Sequence, residues 1–347
     1  MDFRFRAFMA VTMFGLAVLA GPVIAEEVTT QEVNVYSYRQ EVLIKPLLDA
    51  FTANTGIKVN LVSGKADALL ERLKNEGINS PADLLFTSDV GRLIRAKQAG
   101  VLQPAASAAL EASVPAQYRD PEGYWFGLSV RARIIFYAPD RVDPQDLSTY
   151  ADLVDPKWKG RICIRSSSNI YNQSLLASVI AHDGEKAAQS WARGIVANMA
   201  RKPQGGDRNQ IQAVSAGECD IAVANTYYYG TMLASEPGSR QRRAAENVAL
   251  FWPDQDDRGA HVNISGAGLT RSATNKENAI RLLEFLVSDD AQKIYAGEVY
   301  EYPVKPGVAA AGVVAAWGDF KADTLNLAAL ARHNAEAMRM FDRAGWR

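Results

Sequence analysis

The sequence predicts an α/β protein of two lobes, joined by two extended crossings with a cleft between the lobes. Three observations lead to this. Strand-like and helix-like segments alternate from Glu32 to Gly100; a long aromatic, β-rich stretch, Arg119–Val142, breaks the alternation; and a second alternating series starts at Gly160. Alternation at this length calls for a mostly parallel sheet with helices on both faces, and such sheets bind ligands beyond the carboxyl ends of their strands. With 347 residues, 48% hydrophobic and 22% charged, the chain excludes disorder and fibrous classes and suffices for two domains.

The elements follow in order. Residues 32–38 read as a strand, 41–56 as an amphipathic helix stopped by Gly56, and 57–64 as a second strand. Residues 65–81 form the next helix, 82–89 a third strand and 90–100 a helix closing at Gly100. Arg119–Val142 is then extended chain crossing between two bodies. In the second series 160–168 is a strand running into a serine-rich helix start, 169–184 and 185–200 are two helices, and 207–218 is another. Residues 219–230, "CDIAVANTYYYG", read as a strand that carries Tyr227, Tyr228 and Tyr229 at its carboxyl end. Residues 248–255 are extended, 259–271 form the second crossing, 276–298 one long amphipathic helix, and 327–346 a final helix. The resulting domains are a signal peptide at 1–25, a first lobe at 26–130 completed by about 265–305, a second lobe at 131–264, and a C-terminal helical segment at 306–347.

Arg4 and Arg6 precede an apolar run, Ala7–Ala20, and "GPVIAEE" follows, which is the pattern of an export leader cleaved after Ala25. The run is short for a membrane span. The protein is therefore expected to be exported and soluble. A net charge of −1 gives no reason to expect a nucleic-acid partner. Cys163 and Cys219 are the two cysteines, and export permits a disulfide between them if their strands are neighbours; two buried free thiols are the alternative. Two cysteines and three scattered histidines make a zinc site a poor expectation. His182 falls at a helix end, His333 on the last helix and His261 beside the second crossing, where a structural role is the ordinary reading.

Three consecutive phenols at a strand end carry the functional question. A strand sends successive side chains to opposite faces, so the three cannot all share one core. A single buried tyrosine ordinarily packs its ring and satisfies its hydroxyl on the backbone. A run of three at a cleft edge instead sends alternate phenols toward the ligand space. Hard cations select oxygen donors and deprotonate them on binding, so clustered phenols in a cleft poor in His and Cys point to Fe(III). "RSSSNIYNQS" places Ser166–Ser168 where a helix begins, suited to an anion or, more ordinarily, to capping, and Tyr171 follows in the first turns. No P-loop, dinucleotide fingerprint or Ser/His/Asp arrangement is present, so an enzyme has no support in the sequence.

The motifs "RSSSNIYNQSL", "ANTYYYG", "GAHVNISGAG" and "EYPV", with "GIKVNLVSGKADALLERLKNEG", "SPADLLFTSD" and "DPKWKGR", resemble the periplasmic ferric-ion-binding proteins of bacterial iron(III) ABC importers across nearly the whole chain. The resemblance implies a transferrin-like, two-lobed periplasmic solute-binding protein fold and a monomeric receptor handing Fe(III) to an ABC permease in the inner membrane. It implies Tyr171, Tyr227 and Tyr228 as metal-binding phenolates, with Tyr229 left to packing. Many members carry a histidine after the first strand, where this chain reads "YSYRQEV", so Tyr38 or Glu41 is the candidate first-lobe ligand, or carbonate or water fills those positions. Arg39 and Arg133 are candidates for holding a synergistic anion such as carbonate. A receptor for a small anion, polyamine or organic solute on the same fold is the alternative.

Overall fold

The computed structural model describes Met1 and residues 31–347; the leader and its cleavage position lie outside the described residues. The first series comprises β1 (Glu32–Ser37), α1 (Glu41–Thr55), β2 (Lys58–Ser63), α2 (Ala66–Glu76), β3 (Leu84–Ser88), α3 (Val90–Gln98), β4 (Leu102–Gln103) and α4 (Ala108–Ser113). Then come β5 (Phe126–Tyr137), β6 (Ile162–Cys163), α5 (Ile170–Asn198), α6 (Asp207–Ser215), β7 (Ile221–Asn225), α7 (Thr226–Leu233), α8 (Arg240–Glu246), β8 (Ala249–Phe251) and β9 (Val262–Thr270). The chain ends with α9 (Lys276–Leu286), α10 (Asp289–Ile294), β10 (Tyr302–Pro303), α11 (Gly312–Ala315) and α12 (Leu330–Ala344). Among the described residues no helix is long and apolar enough to cross a membrane.

The strands line up as β2-β1-β3-β9-β5-β7-β6, with β4 on β9 and with β8 and β10 on β5. The pairing is mixed rather than mostly parallel. β1 pairs with β2 and β3 in parallel, and β6 with β7 in parallel, as βα units require. The two crossing strands run the other way: β9 is antiparallel to β3 and β5, and β5 is antiparallel to β7. β5 changes partner midway. Phe126–Ala132 pairs with β9, and Arg133–Tyr137 pairs with β7. All twelve of its residues are buried, so it shows no inside–outside alternation, and Ser129, Arg131 and Arg133 must find partners in the interior.

Local chemistry explains the boundaries. In α1, Leu43, Ile44, Leu47, Leu48 and Phe51 recur at helical spacing and join Val33 and Val35 of β1 in one core; Gly56 in the left-handed conformation (φ 71°) ends the helix. α5 kinks at Gly184 (φ 80°), so residues 170–198 form the two helices expected. The single helix expected over 276–298 is instead broken. Ser288 caps α10 by accepting from the Ala291 N–H, Asp289 and Asp290 fill its first turn, and a π-helical turn, Tyr295–Val299, follows. "SDD" is a helix-start signal inside an otherwise periodic run, which is why periodicity alone misses it.

The Cys163–Cys219 disulfide is formed, joining β6 to the chain two residues before β7 across a sequence separation of 56. A loop of that length is worth about 4 kcal/mol in the chain-entropy account. We expect reduction, or the double replacement of Cys163 and Cys219 by Ser, to lower the unfolding free energy by several kcal/mol in urea titrations; coincident unfolding curves would show that the bridge constrains nothing in the unfolded chain.

Candidate metal centre

The tyrosine run is not the end of a strand. β7 stops at Asn225, and Thr226–Leu233 is α7, so helical spacing sets the directions of the phenols. Tyr227 and Tyr228 both line a cleft, their ring centroids 4.1 Å apart, while Tyr229 turns into the core. There its hydroxyl donates to the Val248 carbonyl at 3.0 Å and its ring packs on Phe136 and Trp317. Gly230 lets this helix lie close to its neighbour, since a Cβ there would sit 2.6 Å from Cβ of Tyr300.

Tyr171 arrives from the first turn of α5. Asn169, not the serines, caps this helix, its Oδ1 accepting from the Tyr171 N–H at 3.0 Å. Ser166 and Ser168 share a hydrogen bond, and Ser167 donates to the Trp346 carbonyl, so the serines shape the approach to the helix. The Tyr171 and Tyr227 hydroxyls lie 3.1 Å apart, and Ser88 from the end of β3 reaches Tyr171 at 3.3 Å. The cleft holds about 150 Å³. Tyr171, Tyr227 and Tyr228 line it together with Tyr38, Arg39, Gln40, Leu43 and Ser88. Tyr38 is half-buried under the Arg92 guanidinium, 4.1 Å from its ring, whereas Glu41 is exposed and not on the cleft wall.

The two candidate anion-binding arginines differ in situation. Arg39 is buried on the cleft wall, with Nη1 on Glu301 Oε1 at 2.7 Å and on Ser265 Oγ. Its Nε and Nη2 have no protein partner. Glu301, of the "EYPV" motif, also accepts from Ser129 Oγ. Burial acts to raise the Glu301 carboxyl, but Arg39 and Arg131 outweigh it and hold the group below the ordinary value. Arg133 is not on the cleft wall. Its Nη1 donates to Asp207 and Asn225, and its Nη2 to Asn172 and the Val223 carbonyl, which leaves only Nε without a protein partner.

Arginines that the sequence did not single out surround Tyr171. Arg131, 1% exposed, lies 5.4 Å from its ring centroid, Arg165 5.5 Å and Arg92 5.9 Å. Burial alone would push the Tyr171 hydroxyl up, but Arg131 and Arg92 prevail and bring it below the ordinary tyrosine value of 10. Tyr227 goes the other way: burial, then the neighbouring Tyr171 and Tyr228, push it well above that value. Tyr228 is raised by burial and by Tyr171 and Asp207. Without a cation, Tyr171 is therefore the phenol of the three that ionises most readily. Arg131 had a readable signal, because "SVRARI" puts it two residues from Arg133 on one face of a strand.

None of the three histidines is on the cleft wall. His182 pairs with Asp323 at 2.8 Å, and burial holds the His261 imidazole down at about 4, neutral in the interior. Among the described residues no three His, Cys, Asp or Glu side chains gather to hold a metal. A cation in this cleft would meet phenol oxygens from Tyr171, Tyr227 and Tyr228, with Tyr38 lining the same cleft, a donor set suited to a hard, highly charged ion.

A phenol-lined cleft beside strands that cross between the two halves of a mixed α/β sheet defines a two-lobed solute-binding protein. The chain belongs to the bacterial extracellular solute-binding proteins, whose family model matches residues 79–317. It is 52% identical to iron uptake protein A1 of Synechocystis over 317 residues, covering 91% of this chain and 88% of that protein. It is 30% identical to the major ferric iron-binding protein of Neisseria gonorrhoeae over 86% of this chain and 88% of that one. Among solved structures, Trichodesmium FutA in complex with iron and citrate superposes with a TM-score of 0.88 at 50% identity, over 91% of this chain and all of that one. The ferric binding protein of Campylobacter jejuni gives 0.86 at 39%, also over 91% and 100%.

In the metal-free protein we expect alkaline titration followed by ultraviolet absorbance to show one tyrosine ionising below the ordinary range, a step that Tyr171→Phe abolishes. Persistence of that step in the Tyr171→Phe protein would assign the acidic phenol elsewhere.

Proposed function

We propose that this protein is a periplasmic receptor that captures Fe(III) on the phenolates of Tyr171, Tyr227 and Tyr228 and delivers it to an inner-membrane ABC permease. The observation that carries this reading is the convergence of Tyr171 and Tyr227, 3.1 Å apart in a cleft that also takes in Tyr228. Two phenols this close are mutually unfavourable as anions, and a trivalent cation reverses that, since three phenolates balance its charge. Iron uptake and ferric-binding relatives support the choice of metal.

All three phenols come from α5 and α7, in the proposed second lobe of residues 131–264, with 26–130 and about 265–305 forming the first and 306–347 the C-terminal segment. Tyr38 is the proposed contribution of the first lobe. Arg39, with two unpartnered nitrogens, is the group proposed to hold a synergistic carbonate against the metal. Burial of the cation between lobes would exclude water from its remaining positions.

We expect Tyr227→Phe, Tyr228→Phe or Tyr171→Phe each to weaken Fe(III) binding by at least about tenfold, as loss of an oriented metal partner does, and Tyr229→Phe to leave it nearly unchanged. Competition against a chelator of known affinity measures this, and equal losses at all four tyrosines would contradict the division. Tyr38→Phe should cost less than Tyr227→Phe. Acidification should release the metal, because protons compete for every phenolate.

A further inference from the structure

Resting on that reading, we propose that Arg133 is the positioning residue that brings the two phenol-bearing helices into register, so that the metal meets a prearranged triad. β5 places Arg133 at the point where the strand leaves β9 for β7, paired with Asn225. The guanidinium, 2% exposed, spreads its planar fork over both helix starts. Nη2 donates to Asn172 Oδ1 at 2.7 Å, and Asn172 follows Tyr171 in the first turn of α5. Nη1 donates to Asn225 Oδ1 at 3.0 Å, and Asn225 is the residue from which α7 departs, two positions before Tyr227. Nη2 also reaches the Val223 carbonyl at 3.1 Å, which fixes the fork to β7.

Asp207 at the start of α6 completes the arrangement. Its Oδ2 accepts from Arg133 Nη1 at 3.0 Å and from the Asn225 N–H at 2.9 Å, and its Oδ1 from Arg165 Nη1 at 3.3 Å. Arg165 in turn lies 5.5 Å from the Tyr171 ring and gives its carbonyl to the Asn172 amide at 2.7 Å. One buried ion pair thus holds α5, α6 and α7 to β5 and β7. Such a pair is weak evidence for stability, but it sets geometry: the two helix starts it joins carry the hydroxyls found 3.1 Å apart. Asn225 uses no side-chain oxygen to cap α7, so its bond from Arg133 serves no purpose within its own helix.

Asn225→Ala and Arg133→Lys are compared with the unaltered protein as full-length, leader-free chains. Asn225→Ala removes only the Arg133 link to α7, whereas Arg133→Lys keeps the charge beside Asp207 and loses the fork. Circular dichroism and urea unfolding report the fold, chelator competition the Fe(III) affinity, and the visible phenolate-to-iron absorption the geometry of the triad. We expect both variants to fold, to bind Fe(III) about tenfold or more weakly, as loss of partners that orient metal-binding groups typically does, and to shift the absorption maximum. Asn225→Gln, which can restore the bond, should recover part of the affinity. Lowered stability with an unchanged absorption maximum and affinity in Asn225→Ala would overturn the proposal and leave Arg133 a structural residue. If the unaltered protein shows no phenolate absorption with Fe(III), the reading of the site fails first; if it does and the variants match it, only the positioning role fails.

Discussion

Placing phenol oxygens side by side in a buried cleft is the constraint on which the rest of this structure turns. The Tyr171 and Tyr227 hydroxyls, 3.1 Å apart, can share one negative charge but resist two until a cation separates them. Burial penalises even the first charge, and the guanidiniums of Arg131, Arg92 and Arg165 offset that penalty around Tyr171. The cleft therefore suits a highly charged guest, with Tyr171 set toward ionisation and Tyr227 and Tyr228 held against it in the absence of a cation. That asymmetry comes from the positions of the arginines, not from the tyrosines themselves.

The topology supplies those positions. β5 is buried along all twelve residues because it serves both halves of the sheet, and its polar side chains mark the place where it changes partner. Ser129 and Arg131 meet Ser265 and Glu301 on one side of the change, while Arg133 meets Asp207, Asn172 and Asn225 on the other. Glu301 also holds Arg39 from the loop after β1, 262 residues away in sequence. The part of the cleft wall that Arg39 lines is thus tied to the strands that cross between the halves, so motion of one against the other would be felt at Arg39.

Much of the fold was legible because its signals are local. The helix ending at Gly56, the strand of residues 57–64 and the pair of helices either side of Gly184 each carry their own periodicity and stop signal. The phenols were legible as a cluster, and the family resemblance separated Tyr229 from its neighbours. What escaped was non-local or locally ambiguous. A four-residue apolar run, Ile221–Ala224, followed by "NTYYYG" is rich in strand formers, so it reads as one strand; Asn225, a residue type that commonly opens helices, was the signal for the helix at 226–233, although its side chain makes no capping bond. The antiparallel setting of β9 and β5 depends on which strands meet, and no segment encodes that alone. Arg133 reads from sequence as a basic residue near the cleft, open to an anion or to an ion pair; its four protein acceptors, all distant in sequence from the strand, could not be read from the strand itself.

The central claim is that iron is held by phenolate oxygens drawn from α5 and α7. Resonance Raman spectroscopy of the Fe(III)-loaded protein, excited within its visible absorption, tests it directly, because only tyrosinate bound to the metal gives enhanced ring modes there. We expect strong tyrosinate modes that weaken but persist when Tyr171, Tyr227 or Tyr228 is replaced singly by phenylalanine, and that are unaltered in Tyr229→Phe. An iron-loaded protein with no enhanced tyrosinate modes, or with modes unaffected by any of the three cleft replacements, would contradict it.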